Sequence, residues 1–276
     1  MTAPTVSIGR RFGDRVEING EAADADDLRA LALLNYGHFT SMQVEDRAVR
    51  GLDLHLARLA AGTRELFGTT LDAGRVRGLM RHAVADAPTC SLRVTVYSRA
   101  LKRERLAEPA EPDVLISVGA PRAGVASPRR LKTFRHERTL PHVKHVGTFA
   151  LFHFRREAEL AGFDDALFVG ADGAVSEASV WNIGFFDGVS IVWPDAPKLA
   201  GVSMQLLANG LRERGIAATT RKVPLADIGM YRAAFLTNSS CAVQPVAMID
   251  DVAFDADRAL AGLLEACYAA NAPQAI

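Results

Sequence analysis

Residues 140–186 read LPHVKHVGTFALFHFRREAELAGFDDALFVGADGAVSEASVWNIGFF, and this stretch decides the fold. In its first half, apolar residues recur at steps of three and four: Leu151, Phe154, Ala158 and Ala161. This spacing predicts an amphipathic helix over 148–161, and Gly162 follows where such a helix would end. Lys144 therefore lies in the segment that leads into a helix.

The rest of the stretch and the residues just after it predict a meander of four short strands at 166–169, 174–177, 182–186 and 189–193. The dipeptides Asp172-Gly173 and Asp187-Gly188 are signals of tight turns between antiparallel strands. Glu177 falls at the end of the second strand. Taken alone, a lysine or a strand-end acid is a solvated surface charge. Held together on a rigid scaffold, the two suit pyridoxal phosphate, which needs an amine for its aldehyde and an anion to keep its ring nitrogen protonated.

The same stretch resembles the signature of the fold-type IV pyridoxal-phosphate enzymes, a family of branched-chain aminotransferases, D-amino acid transaminases and aminodeoxychorismate lyases. The residues that match, in order, are Lys144, Glu157, Ala158, Gly162, Asp164, Asp165, Ala166, Leu167, Gly173, Val175, Glu177, Asn182 and Ile183. The resemblance implies a mixed α+β fold with two domains, a smaller N-terminal α/β domain and a larger C-terminal domain that resembles a β-barrel. It also implies that Lys144 binds pyridoxal 5'-phosphate covalently and that Glu177 contacts the ring nitrogen.

Three further strings match the elements by which this family binds the cofactor phosphate. Residues 55–59 resemble an HLxRL element whose arginine is Arg58 here, and a guanidinium offers a planar fork of donors that keeps its charge. Residues 201–203 open a helical pattern, and a helix start presents free N–H groups to a phosphate. The resemblance makes Val202 and Ser203 ligands there, and it places Asn238 and Ser239 on a second phosphate loop.

The substrate pocket is predicted from a strand at 36–44, in which aromatic, hydroxyl and amide side chains alternate without an apolar pattern. In the family this strand lines the active site, although here it is shorter between Gly37 and Phe39. The residue five positions after the lysine is a phenylalanine, where branched-chain aminotransferases have a tyrosine that contacts the cofactor. The residues expected in the pocket are Tyr36, Phe39, Thr40, Gln43, Phe149 and Ser240.

The segment 119–130, GAPRAGVASPRR, interrupts the periodic pattern with glycine, proline and alanine. We therefore predict a first domain over 1–118, a linker over 119–127 and a second domain over 128–276. Short strands are expected at 6–8 and 15–18. The basic residues that follow the linker predict a solvated face: Arg129, Arg130, Lys132, Arg135 and Arg138.

Charge and composition limit the possible partners. The 276-residue chain carries 32 Lys plus Arg and 32 Asp plus Glu, so no global field favours nucleic acid or an anionic membrane. Three scattered cysteines indicate reduced thiols, and the first twenty residues lack a secretory pattern, so we expect a cytoplasmic protein. Its partners would be a small-molecule amino donor and a 2-oxo acid, and the family implies a homodimer.

These features predict an aminotransferase in which Lys144 holds the cofactor and moves the α-proton of the substrate. A lyase that eliminates a β-substituent and releases pyruvate uses the same parts. Lys144-His145 and residues 39–41 favour it, whereas Gln43 stands where the lyases have an arginine.

Two further classes of protein stay open on the sequence. The first is a family member that binds the cofactor without efficient turnover, although Lys144, Glu177 and Arg58 are all present. The second is a metal hydrolase built on His142, His145 and His153. No metal site is expected, because no carboxylate completes a ligand set at helical spacing.

Overall fold

The computed structural model describes residues 15–122 and 127–276, so the strand expected at 6–8 and part of the predicted linker lie outside the described residues. The helices are α1 (Ala25–Leu34), α2 (Leu52–Phe67), α3 (Ala73–Ala83), α4 (Phe149–Leu160), α5 (Val202–Glu213) and α6 (Arg258–Ala269). No helix within the described ranges is long and apolar enough to span a bilayer.

The strands in chain order are β1 (Arg15–Ile18), β2 (Glu21–Ala22), β3 (Gly37–Val44), β4 (Ala48–Arg50), β5 (Cys90–Tyr97), β6 (Asp113–Gly119), β7 (Arg129–Arg135), β8 (Asp165–Val169), β9 (Val175–Ala178), β10 (Trp181–Phe186), β11 (Ile191–Pro194), β12 (Ala218–Arg221), β13 (Ala233–Asn238), β14 (Cys241–Ile249), β15 (Val252–Ala253) and β16 (Pro273–Ala275). They form two larger sheets and one short pair, β16 with β4.

The first sheet has the order β2-β1-β6-β5-β3 and is antiparallel, and α2 and α3 cover one of its faces. Side chains alternate along β3, as they must in a strand. Met42 and Val44 point into the core between the sheet and the helices, where they belong to the same cluster as Leu59 of α2 and Val76 of α3. Phe39 therefore belongs to the opposite face of the sheet, as do Ser41 and Gln43.

The second sheet closes on itself. Strands β10, β13, β14, β7, β8 and β9 pair in sequence, and β9 returns to β10 through Trp181 and Asn182. The C-terminal half of β10 pairs instead with β11. Apolar side chains fill the inside of this barrel, while α4 packs on β8 and the α5–α6 pair packs on β13 and β14. The barrel and the mixed α+β composition confirm the predicted fold class.

The stretch that decides the fold has the predicted local structure. Helix α4 begins after Thr148 and ends before Gly162, whose φ of 82° is the left-handed conformation that glycine adopts without strain. Strands β8 to β11 form the predicted meander, with Gly173 and Gly188 at positive φ in its two tight turns. Local turn chemistry and periodicity thus specify these elements.

The two sheets meet at several points along the chain. The terminal strand β16 pairs with β4, and Ile276 packs in the core of the first sheet. The segment after β7 also reaches the first sheet, since the Phe39 N–H donates to the Lys144 carbonyl at 2.9 Å. The division at 119–127 stays a prediction, and the C-terminal residues pack with the N-terminal sheet.

Candidate active site

Lys144 is held between the two sheets. Its carbonyl accepts from the Phe39 N–H, and the Val146 N–H donates to the Gly37 carbonyl at 2.9 Å, so β3 fixes the backbone at the lysine and just after it. The Lys144 Nζ atom lies 5.0 Å from the centroid of the Phe39 ring. The pKa of Lys144 is lowered to about 7, chiefly by burial and also by the cations of Arg58 and Arg138, against the opposing effect of Glu177. The amine is therefore able to be a neutral nucleophile or base near neutral pH.

Glu177 lies on β9 at the point where the barrel closes, and it is 5% exposed. Its Oε1 atom accepts from Arg138 Nη1 at 3.2 Å and its Oε2 atom accepts from the Leu199 N–H at 3.2 Å. Burial raises the pKa of Glu177, while Arg138, the Leu199 N–H and Lys144 act in the opposite direction. Both oxygens are thus oriented by the protein, and two cations favour the ionised form.

Arg138 corrects the prediction of a solvated basic face. Its side chain is 7% exposed and forms an ion pair with Glu177. The other arginines of that run give no comparable contact with the acid, and Arg135 is exposed. Sequence reasoning missed Arg138 because the residue stands in a run of like charges, and the pairing with Glu177 spans 39 positions.

Two of the predicted phosphate-binding elements meet at the start of α5. This helix begins after Gly201 and has no side-chain cap, so the N–H groups of its first turn are open to a ligand. Arg58 on α2 donates to the Ala200 carbonyl at 2.6 Å, which brings its guanidinium to the same place. Gly201 fits tightly, because a Cβ atom there would lie 2.0 Å from Asn182 Oδ1.

The predicted second phosphate loop, at 238–239, lies near the start of α5, because Ser239 lines the same cavity as Val202 and Ser203. A cavity of about 50 Å³ is lined by Val202, Ser203, Ser239, His55 and Gln43 among others. Its lining residues do not include Arg58, whose contact with this part of the chain is the hydrogen bond to the Ala200 carbonyl.

The side chain of Asn238 already has partners in its own turn and in the connection between β9 and β10. The Oδ1 atom accepts from the N–H groups of Ser240 and Cys241, and the Nδ2 atom donates to the Val180 carbonyl. Its contribution to the site is therefore to shape the loop. Thr237, immediately before it, is buried with an Oγ1 atom that has no hydrogen-bond partner among the described residues. Sequence reasoning did not single out Thr237.

The residues predicted for the substrate pocket do not all lie together. Phe39 and Gln43 share one face of β3, whereas Thr40 points to α2 and its hydroxyl contacts His55 Nδ1 at 2.6 Å. Tyr36 donates to the Leu66 carbonyl at 3.2 Å. Phe149 is the first residue of α4 and is 80% exposed. Of these residues, the structure brings Phe39 to Lys144 and Gln43 to the cavity.

Arg93 is a further residue near the lysine that sequence reasoning missed. It lies on β5 directly opposite Ser41, and its guanidinium carbon is 3.6 Å from the centroid of the Phe39 ring. Its charge also lowers the pKa of Lys144. Residues on neighbouring strands that face each other share one side of a sheet, so the alternation of β3 and β5 was the available signal.

The histidines proposed for a metal hydrolase have separate partners. His142 contacts Glu65 at 2.8 Å, His145 contacts the Thr139 carbonyl at 3.0 Å, and His153 stacks on Phe149. Within the described parts of the chain, no group of three or more His, Cys, Asp or Glu side chains could hold a metal ion.

The residues present fit pyridoxal phosphate. The aldehyde requires an amine, which Lys144 offers with a lowered pKa, and the ring nitrogen requires an acid, which is the buried Glu177. The phosphate requires donors, which the uncapped start of α5 and the nearby Arg58 provide. They come from three parts of the chain and converge where the two sheets meet.

Comparisons with known proteins agree with the fold. The chain is 27% identical over 97 residues to a protein of Rickettsia felis described as "Probable branched-chain-amino-acid aminotransferase", and the match covers 35% of this chain and 33% of that relative. Among solved structures, the branched-chain aminotransferase of Thermoproteus uzoniensis with norvaline superposes with a TM-score of 0.79 at 17% identity, covering 92% of this chain and 93% of that one. The 4-amino-4-deoxychorismate lyase of Pseudomonas aeruginosa gives 0.79 at 22% identity, covering 91% and 97%.

These structural likenesses concern the fold, and they include both an aminotransferase and a lyase. The family model for amino-transferase class IV matches residues 37–249, a range that holds Lys144, Glu177 and the three predicted phosphate-binding elements. The chain therefore belongs to the class IV aminotransferase family.

Proposed function

We propose that the protein is a pyridoxal-5'-phosphate-dependent aminotransferase that moves an amino group between an amino acid or amine and a 2-oxo acid. The observation that carries the proposal is the convergence of Lys144, with its pKa lowered to about 7, and the buried pair of Glu177 and Arg138. When bound, the cofactor supplies an aldehyde for the amine and a ring that accepts electrons from the α-carbon.

The chain's own residues have distinct tasks in this proposal. Arg58 and the first turn of α5, with Val202 and Ser203, bind the phosphate, and the loop at 238–239 completes its surroundings. With the cofactor bound, Glu177 would hold the ring nitrogen by its carboxylate, and Lys144 Nζ would take the proton from the α-carbon of the amino donor and hold it for return. The cofactor would supply a carrier for the amino group: the donor would leave as its 2-oxo acid after reaction with water, and the acceptor 2-oxo acid would take up the amino group with release of that water.

The first test is whether the cofactor binds at Lys144. Purified protein incubated with pyridoxal 5'-phosphate should gain the absorbance of a lysine-bound cofactor, and Lys144→Ala should abolish it. Lys198→Ala is the matched control, because Lys198 is also partly buried but donates to the Pro194 carbonyl. Protein that takes up no cofactor, or loses nothing on Lys144→Ala, contradicts the proposal.

The second test separates the possible reactions. Incubation with amino donors and a 2-oxo acid should yield the amino acid of the acceptor. Pyruvate formed from aminodeoxychorismate would favour the lyase instead. Cofactor binding without any product would leave a binding protein without turnover.

We also propose that two copies associate. Three apolar residues of α4 are exposed in the single chain and support this proposal: Phe149, Phe152 and Leu160. Sedimentation at micromolar protein should show a homodimer, and a charged substitution such as Phe152→Glu should weaken it. The cytoplasmic location stays a prediction.

A further inference from the structure

One guanidinium connects the acid of the site with the segment that carries the lysine. Arg138 Nη1 donates to Glu177 Oε1 at 3.2 Å and to the Pro141 carbonyl at 3.3 Å, while Nη2 donates to the Val143 carbonyl at 2.8 Å. Val143 precedes Lys144 and is 4% exposed in the core of the first sheet. Arg138 therefore contacts the barrel on one side and the backbone next to the lysine on the other.

These contacts fix a segment that lacks regular structure. Residues 136–148 lie between β7 and α4, and an irregular segment of this length needs tertiary contacts to hold one conformation. The β3 backbone holds Lys144 and Val146 from one side. Arg138 holds the carbonyls of Pro141 and Val143, which come before the lysine. The backbone is thus fixed before and after Lys144, and this determines the direction in which its side chain leaves the backbone.

The guanidinium of Arg138 also has an electrostatic effect on both Glu177 and Lys144. Its charge opposes the rise in the pKa of Glu177 that burial causes, and it lowers the pKa of Lys144. A cation at this position favours the ionised acid and the neutral amine together. Those are the two protonation states that the proposed function requires.

We propose that Arg138 is a positioning residue for the proposed reaction: it orients Glu177 as an anion and fixes the segment that presents Lys144. The inference rests on the proposed function. It goes beyond that function because Arg138 acts through its contacts with Glu177 and with the backbone before Lys144.

The test compares Arg138→Met with Arg138→Lys and with the exposed control Arg135→Met, each in the wild-type and the Glu177→Gln backgrounds. With the cofactor bound, Arg138→Met should slow the reaction with a saturating amino donor about 100-fold, because small misplacements of a reacting group have effects of this size. Arg138→Lys should recover part of the rate, since it keeps the charge. Arg135→Met should stay within about twofold of wild type.

Coupling to Glu177 distinguishes positioning from a general structural effect. In the Glu177→Gln background, Arg138→Met should slow the reaction by less than about fivefold, because the residue through which it acts is already changed. In the wild-type background, Arg138→Met should raise the pH at which the bound cofactor's absorbance changes by about one unit, because it removes a cation beside Lys144. An equal loss of rate in both backgrounds, or an unchanged absorbance profile, would overturn the inference.

A measurement without cofactor completes the test. In the cofactor-free protein, hydrogen exchange over 139–146 should become about tenfold faster in Arg138→Met than in Arg135→Met. Exchange that stays the same in both contradicts the positioning of the lysine segment. If Arg138→Met does not fold, Arg138→Lys replaces it in the rate and exchange comparisons. The variant that combines Arg138→Met with Glu177→Gln lacks both buried charges and is compared with Glu177→Gln alone. Wild-type protein that binds no cofactor refutes the proposed function, while the exchange result still decides what Arg138 holds.

Discussion

The ε-amine of Lys144 is expected to titrate near pH 7 in the cofactor-free protein. Burial lowers its pKa from 10.5 to about 7, with Arg58 and Arg138 acting in the same direction. At pH 7.5 about three quarters of the molecules would carry a neutral amine, against about one in a thousand for an ordinary lysine. Since only the neutral amine reacts with acetic anhydride, pulse acetylation followed by peptide mass spectrometry measures the midpoint directly. The rate at Lys144, divided by that of a lysine peptide added as reference, should be constant below about pH 6 and fall about tenfold per pH unit above about pH 8, because only the reference amine still gains neutral form there.

Changing a neighbouring charge tests the cause of this shift. Arg58→Gln removes a like charge that favours the neutral amine, so the midpoint for Lys144 should rise by about half a unit to one unit. Arg64→Gln, an exposed arginine on the same helix, should leave it unchanged. A wild-type midpoint above about 9.5 would refute the reasoning, because Lys144 would then behave as a solvated amine.

Three further predictions concern stability and the phosphate. Burial lowers the pKa of His38 to about 4 and of His55 to about 3, whereas the unfolded chain binds these protons near pH 6.5. The free energy of unfolding in urea should therefore fall as the pH drops from 6.5 toward 4, by up to about 1.4 kcal/mol per unit for each histidine. Gly210→Ala puts a Cβ 2.0 Å from a backbone carbonyl of α6, so its thermal unfolding midpoint should drop by several degrees, at a cost of about 2 kcal/mol or more. Gly262→Ala meets nothing within 4 Å and should match or exceed wild type. Arg58→Met should weaken binding of pyridoxal 5'-phosphate about 10- to 100-fold and leave unphosphorylated pyridoxal within about twofold, while equal losses would place Arg58 away from the phosphate.

The sequence contains enough local information to predict α4 and the meander from β8 to β11. Helical spacing and two turn dipeptides act within a few residues, so no distant contact is needed to recognise them. The closure of the barrel is different. Strand β7 runs parallel to β14, and Val246 lies opposite Arg129 across 117 positions. Such a pairing is set by how whole strands pack, which no single stretch of the sequence reveals.

The site shows the same division between local and distant signals. The positions of Lys144 and Glu177 at the ends of predicted elements follow from local patterns, and the structure brings both to the boundary of the two sheets. The contact between Arg138 and Glu177 does not follow, because nothing local separates a buried arginine from its solvated neighbours. For Thr40 a signal existed: the period of two along β3 places it on the other face from Phe39.

The choice between aminotransferase and lyase depends on groups that contact the substrate. Both reactions remove the α-proton with the same lysine and differ in whether a substituent leaves the β-carbon, so the residues that bind the cofactor serve either outcome. The side chains beside Lys144 on the sheet face are Phe39 and Arg93. Gln43, farther along the same face, is fixed by Ser91 and by the N–H of Arg122. Its amide already has two partners, so it offers a substrate less than the arginine of the lyases would. Gln43→Arg should therefore change the ratio of pyruvate to amino acid formed, whereas a change at Glu177 should lower both products together.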